Sequence, residues 1–342
     1  MSKLFVCEKL HAAREIVKVI NDDDAIILCP SIASYKYKFP DQLKFADLPY
    51  TDRVPLYTKN YDQYRPKWLG RCHSLVITRR NEAVNATLMS FYEAQLNDAQ
   101  ADKNALHGFL GSFDEVVFAC DADLTGMRGF DFLFHDYFGI KDLKSFAIES
   151  NTYFTACIFA GYDNQSLRAA VENRSSFFDS EVVISLRESY LKKDFFEYNY
   201  SLNSLLILNK TFFHVAGNYP SQVITKNCVQ ALLLMERDGI VSIGKAVSAM
   251  NKKHIGSPAS QVLIITSLMG MGLLVDHPRN VEVSKLGREF LSVLCSKMKD
   301  PHLSERLEVD LHGEMSLADF KGKYSRYLST CFGKQKRKLN TL

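Results

Sequence analysis

No apolar run in the 342 residues approaches the ~20 that a bilayer-spanning helix needs, so no transmembrane helix is expected. The opening stretch MSKLFVCEKLHAAREIVKVI lacks the basic, apolar, small-residue layout of a secretory leader, and the expected location is cytoplasmic. The eight cysteines, at 7, 29, 72, 120, 157, 228, 295 and 331, form no C-x-x-C pair. That spacing excludes a zinc ribbon and a disulfide framework, and no zinc is expected. Neither sign of charge dominates: 42 Lys and Arg against 39 Asp and Glu leave +3, which permits local contact with nucleic acid and excludes a polycationic arm.

What is present describes a globular chain. With 46% hydrophobic and 24% charged residues, it has enough apolar material for about two domains. Positive charge gathers at Arg65 and Lys67, at Arg71, at Arg79 and Arg80, in Lys252-Lys253-His254 and from Lys334 to Lys338. Such patches either track a phosphate backbone or form solvated faces.

Lys3 to Glu8 reads as a short strand ending in an acid, and His11 to Ile20 as a helix with Ala12, Ala13, Ile16, Val17 and Ile20 on one face. Ala25 to Pro30 and Ser74 to Thr78 are further strands, and Asn81 to Gln95 a helix. The intervening segment, with Pro40, Pro49, Pro55 and many tyrosines, is expected to cross the carboxyl edge of the sheet. Val116 to Ala119 is the strand that delivers Asp121 and Asp123. Strands alternating with helices predict a parallel α/β sheet, whose ligands sit outside the carboxyl ends of the strands.

Asp121 and Asp123 are two apart, so in an extended segment both face one way and can converge on one hard cation. An Asp-x-Asp at a strand end is also an ordinary helix-entry signal. Glu8 ends the first strand; if that strand neighbours the one at Val116, three carboxylates meet, and a divalent cation would offset their repulsion.

KLFVCEKLHAAREI, followed at a distance by EVVFACDADLTGMRGF, resembles the TOPRIM domain of type IA DNA topoisomerases. The resemblance implies an Mg²⁺ site formed by Glu8, Asp121 and Asp123, which are then also the catalytic acids. Two positions depart from the family pattern: Thr125 stands where a third acid is expected, and Ala12 where a lysine is expected. Arg14 matches a second basic position of the motif.

Past about residue 150 the chain reads as mainly helical, giving an expected division into a TOPRIM-like α/β domain over 1–150 and a DNA-groove domain over 151–342. Ser145 to Phe159 reads as a strand followed by a helix. A long amphipathic helix from Asp179 has Val183, Leu186, Tyr190 and Leu191 inside and Arg187, Lys192 and Lys193 outside. Its end, Tyr198 to Leu205, is similar to the helix by which the family core enters the groove domain. Helices are expected over Gln222 to Met235 and Val241 to Lys252. A helix capped by Ser257, a hairpin from Leu273–Val275 to Val281–Val283 and a helix from Lys285 describe a winged-helix-like unit at about 254–295. This segment resembles the family stretch G-x-P-S/A, glycine turn, hairpin and Leu-Gly-Arg. The resemblance implies DNA, single-stranded or at a junction, as partner. Arg14, Arg187, His254, Ser257, Ser260 and Gln261 are the contact candidates. Leu307 to Tyr327 resembles the family's acidic stretch and following helix.

The family's tyrosine-bearing arch has no counterpart, because only NKTFFHVAGNYPS separates Leu208 from Gln222. Tyr219 is the nearest echo of the catalytic tyrosine, and a turn at Asn218-Tyr219-Pro220 is its other reading. Three functions follow from the resemblance: a DNA-binding relative without self-sufficient cleavage, an active topoisomerase using an unrecognised tyrosine or one from a partner that completes the strand gate, and a metal-dependent nuclease or primase-like enzyme.

Overall fold

A five-residue apolar run, KLFVC, forms β1 (Lys3–Cys7), with Leu4, Phe5, Val6 and Cys7 all buried. A strand covered on both faces needs such an uninterrupted run. In the computed structural model, residues 2–21, 24–29, 35–59, 108, 110–278 and 280–342 are described. β1 lies between β2 (Ala25–Leu28) and β5 (Glu115–Phe118), parallel to both. β3 (Tyr35–Tyr37) and β4 (Tyr57–Lys59) pair with each other. β6 (Tyr153–Ala156) continues the sheet in parallel beside β5, and β7 (Ser175–Ser176) closes it as an antiparallel edge, giving the order β2-β1-β5-β6-β7.

The helices α1 (Leu10–Ile16), α2 (Leu124–Phe132), α3 (Leu143–Ser150) and α4 (Asn164–Glu172) complete this α/β unit. Phe5, Cys7, Ala13, Ile16, Ile26, Val117 and Leu167 form one core cluster. Val6 and Phe118 point the other way, as strand alternation requires. There Phe118 meets Phe130 at 5.3 Å between ring centroids, and Phe130 meets Phe177 at 4.9 Å.

The chain divides into two compact units, Met1–Lys36 with Tyr57–Tyr190, and Tyr37–Leu56 with Leu191–Leu342. This departs from the expected boundary at 150, because β6 adds directly to the sheet with Val116 opposite Phe154. The order of elements over 145–159 also reverses: α3 comes first and β6 second. Asp142 caps α3 by accepting from the amides of Lys144 and Ser145, and Asn151 at φ 54° ends it. Those end signals outweigh the β-type composition of Ser145–Ile148. The expected strand at Ser74–Thr78, the helix at Asn81–Gln95 and the basic residues Arg65, Lys67, Arg71, Arg79 and Arg80 lie outside the described residues.

Of the proline- and tyrosine-rich segment, residues 30–34 and 60–73 lie outside the described residues. Residues 37–56 belong to the second unit, where Leu48 and Tyr50 enter its core. Two buried asparagines one turn apart on α5 (Glu181–Leu206) hold this segment as a neighbouring strand would. The Asn203 carboxamide accepts from the Tyr50 amide at 2.8 Å and donates to the Tyr50 carbonyl at 2.5 Å. Asn199 repeats the pattern with Arg53, accepting at 2.8 Å and donating at 2.9 Å. Accordingly α5 is not one-sided there: between Asp194 and Ser204 every residue but Glu197 is buried, and Lys192, expected outside, is 1% exposed.

The second unit continues through α6 (Leu208–Ala216), α7 (Lys226–Asp238), β8 (Val241–Ser242), α8 (Ile243–Lys252), α9 (Pro258–Gly270), β9 (Leu274–His277), β10 (Asn280–Val283) and α10 (Lys285–Val293). Val241, expected in a helix, pairs instead with Val281, and Ser242 caps α8. The three strands form an antiparallel sheet in the order β8-β10-β9. Gly287 lets α10 press against the hairpin, since a Cβ there would meet the Leu273 carbonyl oxygen at 2.3 Å. Last come α11 (Leu303–His312) and α12 (Leu317–Leu339). Two lysines of the basic tail are structural. Lys336 donates to the carbonyls of Ala46 and Leu48, and Lys338 to those of Ser292 and Leu294 at the end of α10.

Candidate metal centre

Register brings the three acids together. β1 and β5 pair as parallel neighbours with Val6 opposite Phe118, so the residues that follow each strand leave the sheet on the same edge. Glu8, Asp121 and Asp123 each offer a carboxylate oxygen there, all within 4.8 Å of one another.

Each acid is held differently. Asp123 is the N-cap of α2, its Oδ1 accepting from the amides of Thr125 at 2.9 Å and Gly126 at 2.8 Å. Thr125, where the resemblance leads to the expectation of an acid, thus presents its backbone to Asp123. Asp121 is gripped at both oxygens, Oδ1 by the Tyr162 hydroxyl and Oδ2 by the Lys9 ammonium. Glu8 has one buried oxygen, Oε2, with no hydrogen-bond partner. Burial pushes its carboxyl up to about 7; Lys9 opposes the rise, and Asp123 and Asp121 add to it. Three converging carboxylates with one orphaned buried oxygen are a hard, all-oxygen donor set, the kind that suits Mg²⁺, Ca²⁺ or Mn²⁺.

The floor of the centre is tight and apolar. A Cβ on Gly126 would lie 2.2 Å from the Asp121 carbonyl oxygen and 3.0 Å from the Cys120 Cβ, so only glycine lets α2 start this close to the strand end. Below, the Cys120 thiol lies 3.7 Å from that of Cys29 and 3.4 Å from the Val6 carbonyl. Burial raises the pKa of Cys120, as it does that of Cys7, so these thiols stay neutral under the acids.

Two contributors carry little or no signal in the sequence. Lys9 adjoins Glu8 and supplies an ammonium, whereas the resemblance places the expected lysine four residues after the Glu. Ala12, at that position, is 1% exposed and packs in the core, so a lysine there would be buried. Tyr162 arrives from the loop after β6, 41 positions from Asp121. Its ring stands edge-on to His11 at 5.2 Å and lies 5.4 Å from Phe159. Burial and the bond to Asp121 raise its pKa and keep it a donor.

The other candidates are placed less simply. Arg14 is exposed in the last turn of α1. The Arg187 Nε is 3.1 Å from Asp131, which also accepts from the Tyr190 hydroxyl at 2.5 Å, so this arginine is engaged in an internal ion pair. Tyr219 is 61% exposed and stacks on Phe213 at 4.7 Å. Ser257 is the N-cap of α9 by backbone, yet its side chain caps nothing and lies 3.2 Å from the Ser260 hydroxyl. Ser260 donates to the Ser257 carbonyl at 2.9 Å. Gln261, expected to face a ligand, is 1% exposed with its amide turned to the Gly256 carbonyl at 3.4 Å. It braces the loop, because its position on the helix faces the core. His254 is half-exposed at φ 54°.

No protein-family model matches the chain, and no curated protein matches its sequence.

Proposed function

We propose that the protein is a relative of type IA topoisomerases that binds single-stranded or junction DNA, with a TOPRIM-type divalent-metal centre on Glu8, Asp121 and Asp123, and that it does not complete strand cleavage by itself. The observation that carries this reading is the convergence of the three carboxylates at the carboxyl edge of neighbouring parallel strands, with one Glu8 oxygen buried and unpartnered. Mg²⁺ is the cation the resemblance implies. Bound there, it would offset the acids' charge and draw in a phosphodiester oxygen. The chain's own part is positional: Lys9 and Tyr162 fix Asp121, and the amides of Thr125 and Gly126 fix Asp123.

In the second unit the order helix, strand, helix, helix, strand, strand from α7 to β10 supports the winged-helix reading. The exposed Lys252 and His254 and the serines at the start of α9 are placed to meet phosphates, Lys253 being paired with Glu305 at 2.9 Å.

The test is labelled single-stranded DNA incubated with the protein and Mg²⁺, then denatured. Retention that weakens steeply with salt, with neither adduct nor fragments, is the expected result. A covalent adduct lost in Tyr219→Phe would establish the active topoisomerase instead, an adduct kept in that variant would point to another tyrosine, and free fragments that need the metal would establish the nuclease. Affinity constant across the salt titration would overturn DNA binding.

A further inference from the structure

Two side chains hold Asp121, and they differ in charge and in freedom. The Tyr162 hydroxyl donates to Oδ1, and the Lys9 ammonium donates to Oδ2. Tyr162 is a neutral donor whose ring is packed against His11 and Phe159. Lys9 is a cation, and its side chain is 51% exposed against 21% for Asp121. It can swing out into water, whereas the phenol is tied by its ring.

We propose that Lys9 is a tethered counter-ion of the acid centre, which competes with a divalent cation for Asp121, sets the affinity of the centre and withdraws when the ion binds. This rests on the reading of Glu8, Asp121 and Asp123 as a divalent-metal centre. A cation held by all three carboxylates needs an oxygen of Asp121, and both of those oxygens already accept a hydrogen bond. Each carboxylate oxygen has two acceptor sites, so Oδ1 can serve the phenol and an ion together. Oδ2 is different, because an ammonium and a dication on one carboxylate repel each other.

The remaining contacts of the centre are uncharged. Asp123 is held by the amides of Thr125 at 2.9 Å and Gly126 at 2.8 Å, which can stay in place around an ion. The charge of Lys9 acts on all three acids, on Glu8 and Asp123 as well as on Asp121. One positive charge offsets part of their mutual repulsion, and a dication bonded to all three offsets more of it. A half-exposed ion pair is also weak, so its loss on loading costs little. Lys9 therefore eases the crowding of the acids while holding the cation affinity below what three bare carboxylates would give. A fixed strut would do the opposite: by orienting Asp121 it would raise that affinity, and the sign of the effect separates the two roles.

Calorimetric titration of Mn²⁺ into the chelator-treated full chain tests this. Lys9→Met is expected to bind the ion about three- to tenfold more tightly than the parent, and Lys9→Arg, which keeps the charge, is expected not to. Tyr162→Phe, which removes the neutral holder, should weaken binding about tenfold. Because a tighter ion stabilises the fold more at equal concentration, the rise in Tm on adding Mn²⁺ should be larger in Lys9→Met than in the parent. Mn²⁺ binding in Lys9→Met that is unchanged or weaker, or an equal tightening in Lys9→Arg, would overturn the counter-ion role and leave the metal centre standing. Uptake of Mn²⁺ by neither the parent nor Lys9→Met would overturn the metal reading itself, and this inference with it.

Discussion

In the first unit three carboxylates gather at the edge of a sheet, whereas in the second a set of buried amides is threaded onto backbone. Glu8, Asp121 and Asp123 converge with one buried oxygen left over. Asn199, Asn203 and Gln335 instead pair with main-chain groups across the second core, Gln335 accepting from the Cys295 amide at 2.6 Å and donating to the Val293 carbonyl at 3.1 Å. Amide networks of this kind fix a segment in place. A knot of like charge raises local energy unless something positive joins it. The difference teaches that the two units place polar groups in different ways: one gathers carboxylates whose charge is left for a cation to offset, the other satisfies polarity to hold a long excursion of chain.

Breaking the first unit's centre should give the largest effect. Asp121→Asn or Glu8→Gln is expected to weaken Mn²⁺ or Mg²⁺ binding beyond the ~100-fold that loss of an outer partner costs, read by calorimetry. Gly126→Ala strikes the same centre through packing. The 2.2 Å approach to the Asp121 carbonyl has to open, so a loss of about 1–3 kcal/mol in urea unfolding should come with weaker cation binding. The counterpart in the second unit is Asn203→Ala, which orphans the Tyr50 amide and carbonyl for about 1–3 kcal/mol. There, hydrogen exchange should speed up over residues 48–53, with cation affinity unmoved.

A pH series sharpens the contrast because the two units respond with opposite sign. Glu8 titrates at about 7 against an ordinary 4.5. Between those values the folded state holds more protons than the unfolded one, so the Glu8 contribution to stability falls as pH rises from 4.5 to 7. Glu8→Gln should remove that slope in chelator. Desolvation lowers Lys226 from 10.5 to about 8. There the unfolded state holds more protons, so its contribution rises with pH between 8 and 10.5, and Lys226→Met should flatten it. Smallest is Lys338→Met, expected to cost about 0.3–1 kcal/mol by releasing carbonyls at the end of α10. Its DNA affinity and salt slope should match the parent, since this lysine is occupied by backbone.

Local signals were legible. KLFVC, AIIL and EVVF announce buried strands because every residue but Lys3 and Glu115 is apolar, and Asp121-Ala122-Asp123 announces two carboxylates on one side because strand geometry alternates. The hairpin at 274–283 was readable from its turn and alternating apolar residues. Less legible was α5, whose second half is buried on every side, so that Lys192 and Asn203 look like surface residues in a one-dimensional pattern. Tyr162 had no readable signal, since its role depends on the β6 edge reaching Asp121.

By itself the sequence determined the buried strands at Lys3–Cys7, Ala25–Leu28 and Glu115–Phe118, though not the order of elements over 145–159 or the strand at Val241, and it determined which residues could donate oxygen to a hard cation. Those properties depend on neighbours one to four residues away. Only the tertiary structure decided that β1 lies against β5 with Glu8 beside Asp121, that Lys9 and Tyr162 grip that aspartate, and that residues 37–56 join the second core. The physical reason is that periodicity states which face of an element is apolar and leaves open which distant surface covers it. Partners more than a hundred residues apart are selected by the packing of the whole unit.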